Sequence, residues 1–383
     1  QQFEYGFDDI GNRKTAASGG DQWGANLRYE NYTANNLNQY SQRTVPGKVD
    51  VIGSANANAT VTVLGSAGGS PAVPGDPPGT FRTSRKGEYF RAEASATNTA
   101  GPVYLILTNI AVLQNGTNAD IVTTNTGSLL LPPATETYLH DPDGNLIRNG
   151  LWTNLWNAEN RWITAQSLTT VPTNASKKVD FAYDYQGRRV QKIVSTWNGS
   201  AYVAQSTNRF VYDGWNLLAI LDSASAVAQS FLWGLDLSGS LQGAGGVGGL
   251  LAINAGTDGT HFVAFDGNGN VSALASATTG TNSATYDHSP FGQVLRASGP
   301  MAKVNLFRFS TKFHDDETGT LYNGLRELDP ITGRWQNRDP IDEDGGLNLT
   351  SLLENDSVNA CDLFGLAGPP KNNPPDVFTG DYD

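Results

Sequence analysis

Few side chains in this sequence carry chemistry by type and spacing. The four histidines, His140, His261, His288 and His314, are scattered, and none has metal-ligand spacing with another histidine or cysteine. No metal site is expected. The lone Cys361 stands beside Asp362. As a nucleophile it would need a base, whereas as a small buried hydrophobe it needs nothing, and the core role is favoured. Gly243–Gly248 reads GAGGVG and fits G-x-G-x-x-G, with Asp266 roughly where an acidic partner belongs. A dinucleotide site also needs a strand before the glycines and a helix after them. Here LLAINAG and another hairpin follow, and no βαβ pattern occurs. Neither a nucleotide nor any other cofactor is expected, and the glycines suit strands that approach closely or bend. The carboxylates that carry a sharper hypothesis lie in residues 306–366.

That stretch contains FRFSTK at Phe307–Lys312, DDETG at Asp315–Gly319, LDPITGRW at Leu328–Trp335, RDPI at Arg338–Ile341, GGLNL at Gly345–Leu349 and DLFGL at Asp362–Leu366. In this order the pieces resemble the core domain of RHS/YD-repeat proteins. The resemblance implies a block that closes one end of a hollow β-shell. It also implies a chain cut after the leucine of the final D-x-x-G-L, which places the cleavage between Leu366 and Ala367. Asp339 and Asp362 match the two aspartates of the family's D-P-x-G … D-P-x-G pattern. Peptide cleavage by such a pair is chemically sensible. Close carboxylates share a proton, so one acts as base towards water while the other protonates the carbonyl or leaving group. Arg338, next to Asp339, is placed to orient a carboxylate or hold it ionised. The alternative is that both aspartates cap turns, as Asp before Pro or Gly does routinely. The chain departs from the pattern at Asp342, where Gly is expected, and at Leu363, where Pro is expected. Asn323, Gly324, Glu327, Leu328, Thr350 and Leu353 stand where the family often has Tyr or similar. These departures weigh on cleavage more than on fold.

The elements that must position this block are read from period-two alternation. Phe3, Tyr5 and Phe7 alternate with their neighbours, and Asp8-Asp9-Ile10-Gly11-Asn12 then reverses the chain. The unit recurs as YLHDPDGNLIR at 138–148, FAYDYQGRRVQKIV at 181–194, FVYDGWNLLAIL at 210–221 and FVAFDGNGNVSAL at 262–274, with a degenerate TYDHSPFGQVL at 285–295. In each unit aromatics pack on one face, Asp caps the turn and Gly takes positive φ. Such units bury their faces only by stacking. They resemble YD repeats, whose hairpins spiral into a shell. Asn115-Gly116, the two-residue hairpin Trp197-Asn198-Gly199-Ser200 and Asp258-Gly259 mark further reversals, and Ser70–Gly79 reads as a loop. Trp152, Trp156 and Trp162 supply large packing area in a repeat variant.

The predicted architecture is all-β. Residues 1–48 form a YD-repeat segment, 49–131 a small β-rich insert, 132–300 YD-repeat hairpins, 301–366 the core block and 367–383 a polar, Pro-rich tail. A net charge of −12 argues against nucleic acid or an anionic membrane as the main partner. One cysteine excludes an internal disulfide framework, and no run approaches a membrane span. A chain that opens Gln1-Gln2 and has Met301 as its only methionine reads as a fragment or processed product, so a missing leader says nothing about export. By resemblance the expected function is a secreted or bacterial cell-surface scaffold with a self-cleaving core. Its partners would be upstream repeats or further copies of itself, with a C-terminal cargo peptide. The rival is a non-catalytic structural subunit of a fibre, shell or adhesion protein.

Overall fold

A computed structural model describes residues 2–21, 23–65, 79–357, 360 and 362–366. Among these residues there is no α-helix; 3-10 turns of three or four residues are the only helical elements. The reason is visible in the turns. The Asp8 carboxylate accepts the N–H groups of Ile10 (3.2 Å) and Asn12 (2.7 Å), and Gly11 sits at φ +80°. Asp184 does the same for Gln186 and Arg188, both at 2.9 Å, with Gly187 at +83°. Asp266 holds Asn268 and Asn270, with Gly269 at +73°. In the degenerate copy, Ser289 stands in for Asp and accepts from Gln293 at 3.0 Å. Each Asp side chain thus satisfies the turn's own N–H donors, and antiparallel pairing with the neighbouring strand is the local outcome.

Gln2–Phe7, Arg13–Gly19, Leu27–Ala34 and Tyr40–Thr44 form a meander, and Thr135–Thr137 takes the next place beside Tyr40–Thr44. The chain between leaves and returns at neighbouring points, because Val45 N–H donates to Ala134 O at 2.9 Å. The excursion carries a three-stranded and a four-stranded sheet. They bury a shared cluster that includes Val63, Phe81, Ala92, Ala94 and Leu105. The repeats then resume as a 14-stranded antiparallel sheet from Leu139–His140 to Val294–Ser298, each strand pairing with the next in sequence. Four short strands, Phe313–Asp315, Thr320–Tyr322, Glu327–Asp329 and Arg334–Trp335, form the C-terminal block.

Asn115-Gly116 does reverse the chain, within a loop of residues 114–120 between strands that end at the Leu113–Ile121 pair. The Trp197 hairpin uses 198–201 rather than a two-residue turn, because Asn198 Oδ1 accepts from the N–H groups of Ser200 and Ala201 at 2.9 Å each. Asp258-Gly259 does open the strand Thr260–Phe265. The Ser70–Gly79 loop lies outside the described residues except at Gly79.

One face of the large sheet buries Phe210, Leu217, Phe231 and Leu250 against Phe307 and Phe313 of the block. The Phe307 ring meets Phe231 edge-on at 5.0 Å. Deeper still, Arg189 and Lys192 reach from the repeat strand Arg189–Trp197 into the block. Arg189 pairs with Asp315 (2.6 Å) and Glu327 (2.5 Å), between the rings of Phe181 and Tyr322. Lys192 pairs with Asp315 (2.6 Å) and Glu317 (2.5 Å). Three acids therefore share two cations, and burial pushes the Glu327 carboxyl up to about 8.

Removing Arg189 would strand Asp315 and Glu327. Arg189→Met is expected to lower the unfolding free energy by about 3–5 kcal/mol, read from urea denaturation. Glu327 has a folded pKa raised above its unfolded value. Its contribution is full below about 4.5 and is lost as pH rises through about 8. Glu327→Gln should flatten the stability profile across that window, and an unchanged profile would show that Glu327 is ionised throughout.

Candidate functional site

The loop between Thr320–Tyr322 and Glu327–Asp329 closes with Asn323 N–H on Arg326 O at 3.0 Å, and this turns the Arg326 side chain inward. Its side chain is 1% exposed and lies 4.4 Å above the Trp335 ring. The guanidinium ties together segments far apart in sequence. Nη2 pairs with Asp339 Oδ2 at 2.7 Å and approaches Asp362 Oδ2 at 3.6 Å. Nη1 donates to Leu349 O at 3.2 Å, and Nε donates to Gly365 O. The two sequence-matched aspartates are therefore brought to one cation, and both are buried.

Each aspartate divides its two oxygens. Asp339 Oδ1 accepts Ile341 N–H at 3.1 Å, while Oδ2 faces Arg326. Asp362 Oδ1 accepts Gly365 N–H at 2.7 Å and Leu366 N–H at 2.8 Å, while Oδ2 accepts no hydrogen bond from the described residues. Both aspartates thus cap a turn through one oxygen and face Arg326 through the other. Burial pushes the Asp339 carboxyl above its ordinary value, against the pull of Arg326 and the Ile341 N–H. Burial also lowers Arg326 from its usual range while the two carboxylates hold it up. Gly345 leaves the room that Asp339 needs, since a Cβ there would lie 2.4 Å from Asp339 Oδ2.

The support expected of Arg338 comes instead from Arg326. Arg338 pairs with Asp342 at 2.9 Å, with its side chain 45% exposed. Neighbouring residues of an extended segment point to opposite sides, so a buried Asp339 turns Arg338 outward. Arg326 lacked a local signal, because its partners lie well beyond it in sequence. Leu366 is held through its N–H as above. Ala367 and Cys361 lie outside the described residues.

The D-L-F-G-L segment is fixed by the Gly-rich stretch. Asp236 Oδ2 accepts the N–H groups of Ala244 (2.7 Å) and Gly246 (3.1 Å) and folds that stretch into a bend between strands Val227–Trp233 and Leu250–Asn254. Lys312 Nζ then donates to both Gly245 O (3.0 Å) and Leu363 O (2.5 Å). A Cβ on Gly245 would lie 2.3 Å from Leu363 O, and Phe364 packs on Trp215 at 5.3 Å. The histidines serve locally: His261 Nδ1 bonds Ser283 Oγ at 2.8 Å, and burial lowers His140 and His288 to about 4. Among the described residues no group of three His, Cys, Asp or Glu side chains is placed to hold a metal.

A teneurin YD-shell family model matches residues 108–344, more than half of the chain. A tRNA3(Ser)-specific nuclease, WapA, of Bacillus spizizenii is 28% identical over 246 residues, 63% of this chain and 9% of that protein. A double-stranded DNA deaminase toxin A of Burkholderia cenocepacia is 44% identical over 61 residues, 16% of this chain and 4% of that protein. The chain thus spans under a tenth of these relatives. The Photorhabdus luminescens Tc holotoxin pore structure aligns with 97% of this chain and 17% of its own, at 16% identity and TM-score 0.49.

Gly345→Ala should displace the Asp339 carboxylate and lower stability by about 1–3 kcal/mol, the usual range for overpacking. Gly267→Ala, with nothing within 4 Å of its Cβ position, is the control and should stay within about 0.5 kcal/mol. Equal effects of the two in thermal unfolding would refute the close fit around Asp339.

Proposed function

The chain belongs to the teneurin YD-shell family, and from that premise we propose that it is the closing part of an exported RHS-type shell that cuts its own backbone once, after Leu366. The β-shell scaffold is the part of this reading that the family carries. The cleavage reading rests on one observation: Asp339 and Asp362 each direct an oxygen towards Arg326, while the other oxygen of Asp362 holds the N–H of Leu366.

In this mechanism Asp362 Oδ2 takes a proton from water, and the resulting hydroxide adds to the Leu366 carbonyl carbon. Asp339, whose burial favours its protonated form, gives its own proton to the Ala367 nitrogen as the C–N bond breaks, and the proton held by Asp362 then restores the starting state of the pair. The products are a Leu366 carboxylate and an Ala367 amine. Arg326 positions both acids and offsets the charge that develops. The shell would end at Leu366, and residues 301–366 would act as the family's core domain. Cargo would follow Leu366, as befits relatives named as nucleases and a deaminase toxin. Among the described residues strand Gln2–Phe7 pairs on one side only, and upstream repeats or a further copy would cover its other edge.

The rival reading, a structural subunit with a relict core, is favoured by the turn-capping bonds of both aspartates, which give each a purely structural role. Intact-mass measurement separates the two. The full chain should yield a fragment ending at Leu366, and Asp339→Asn should stay whole with an unchanged circular-dichroism spectrum. A wild-type chain that remains whole under all conditions leaves the structural reading.

A further inference from the structure

The excursion between Val45 and Ala134 carries a four-stranded sheet that ends on strand Ile121–Leu131, which pairs along all 11 residues with Val103–Leu113. Among the described residues nothing pairs with its other edge. An open edge invites further strands, and proteins blunt theirs with charge or short length. Among the described residues every other sheet edge of this chain obeys that rule. Those strands are two to seven residues long. The ones longer than three residues carry Glu4, Lys48 with Asp50, Arg85 with Lys86, and Arg296. Ile121–Leu131 reads IVTTNTGSLLL, with neither charge nor proline, in a chain of net charge −12.

The strand also overhangs its own core. Residues paired across a ladder share a face, and alternate residues along a strand lie on the same side. Leu105 pairs with Leu129 and Leu107 with Gly127. Leu105, Leu107 and Leu131 belong to the buried cluster around Val63 and Phe81. Ile121, Thr123, Asn125, Gly127 and Leu129 therefore lie on the core-facing side, yet every residue from 121 to 129 is exposed. Ile121 and Leu129 remain 52% and 39% exposed. A second copy of the same strand, antiparallel about a two-fold axis at Asn125, completes this face. That register sets Ile121 opposite Leu129, Thr123 opposite Gly127 and Asn125 opposite itself. On the other face Val122 meets Ser128, and Thr124 meets Thr126. Apolar side chains meet at the two ends, threonines meet near the centre, and no like charges oppose each other. A partner chosen by charge would find nothing to recognise on this strand, whereas a copy of it supplies each missing neighbour.

We propose that two copies of this chain pair through Ile121–Leu131 in that register and join their two four-stranded sheets into one. The two-fold contact uses the open edge of both copies, so assembly closes at a dimer. The far edge of the same sheet, Thr80–Phe81, is two residues long and offers little to a third copy. The pairing is independent of cleavage after Leu366.

Sedimentation equilibrium of the full chain tests it. At about 100 µM a dimer of micromolar Kd is nearly complete, so dimer should predominate. Thr124→Lys combined with Thr126→Lys sets lysines directly opposite one another across the two-fold. Both positions are exposed, so the circular-dichroism spectrum should stay unchanged while dimerisation weakens by at least about tenfold. Cysteines read the register. Asn125→Cys brings two sulfurs to the axis, where opposed Cα atoms lie about 4.5–5.5 Å apart, within disulfide reach. Mild oxidation should give a covalent dimer whose peptide masses show the two substituted positions joined. Thr123→Cys should not cross-link, since its two copies would sit about 13 Å apart along the strand. A monomer at that concentration, a dimer indifferent to the lysines, or cross-linking of Thr123→Cys as fast as Asn125→Cys would each overturn the pairing. A dimer that survives the lysines would belong to another surface, such as the edge of Gln2–Phe7.

Discussion

Arg189 and Lys192 stand on a repeat strand whose inner face is sealed from water, and they stay charged only because acids reach them from the C-terminal block. An unpaired buried ion costs several kcal/mol. The repeat sheet is therefore satisfied only when Asp315, Glu317 and Glu327 occupy their places. The same demand recurs at Arg326, which must gather Asp339 and Asp362, and at Arg43, which pairs with Glu136 at 2.6 Å. Arg13 solves it differently, donating to Ile331 O at 2.9 Å while lying 4.6 Å from the rings of both Tyr5 and Phe291. Such contacts contribute modestly to net stability, but they leave the block a single seating on the sheet, because a shifted block would leave ions alone.

Legibility in the sequence followed the range of the interaction. The Asp–Gly turns were readable because their chemistry is local: the carboxylate meets N–H groups two and four residues on, and glycine supplies the positive φ. Strand alternation was readable for the same reason. The lengths of the loops at 114–120 and 198–201 were less so, since Asn198 gathers its own side-chain bonds and widens its turn. Arg326 was hidden among ordinary block residues, with nothing nearby to mark it. Arg338 drew attention through adjacency to Asp339, yet adjacency along an extended segment places two side chains on opposite sides.

Departures from the family pattern acquire local reasons in the structure. Glu327, where an aromatic residue is frequent, is a buried partner of Arg189. Asp342, where glycine is expected, adopts φ +50° and pairs with Arg338. Gly324 lies 3.2 Å, measured from its Cβ position, from the Trp215 ring. The glycines at 245 and 345 leave space for Leu363 and Asp339 respectively, so two stretches distant in sequence both serve the placement of the aspartates.

The hairpin that turns at Gly11 is held by residues of the C-terminal block. Arg334 donates to Gly11 O at 2.6 Å, Asn355 donates to the same oxygen at 3.0 Å, and Asn348 donates to Ile10 O at 3.2 Å. Strands of the large sheet zip to their sequence neighbours as they leave the ribosome, but these three bonds must wait until residues 334–355, more than 320 positions further on, have emerged. Loop closure of that length is slow relative to hairpin formation. During synthesis the turn at Gly11 therefore remains an open port with a free carbonyl, and this latch closes only when Arg334, Asn348 and Asn355 arrive.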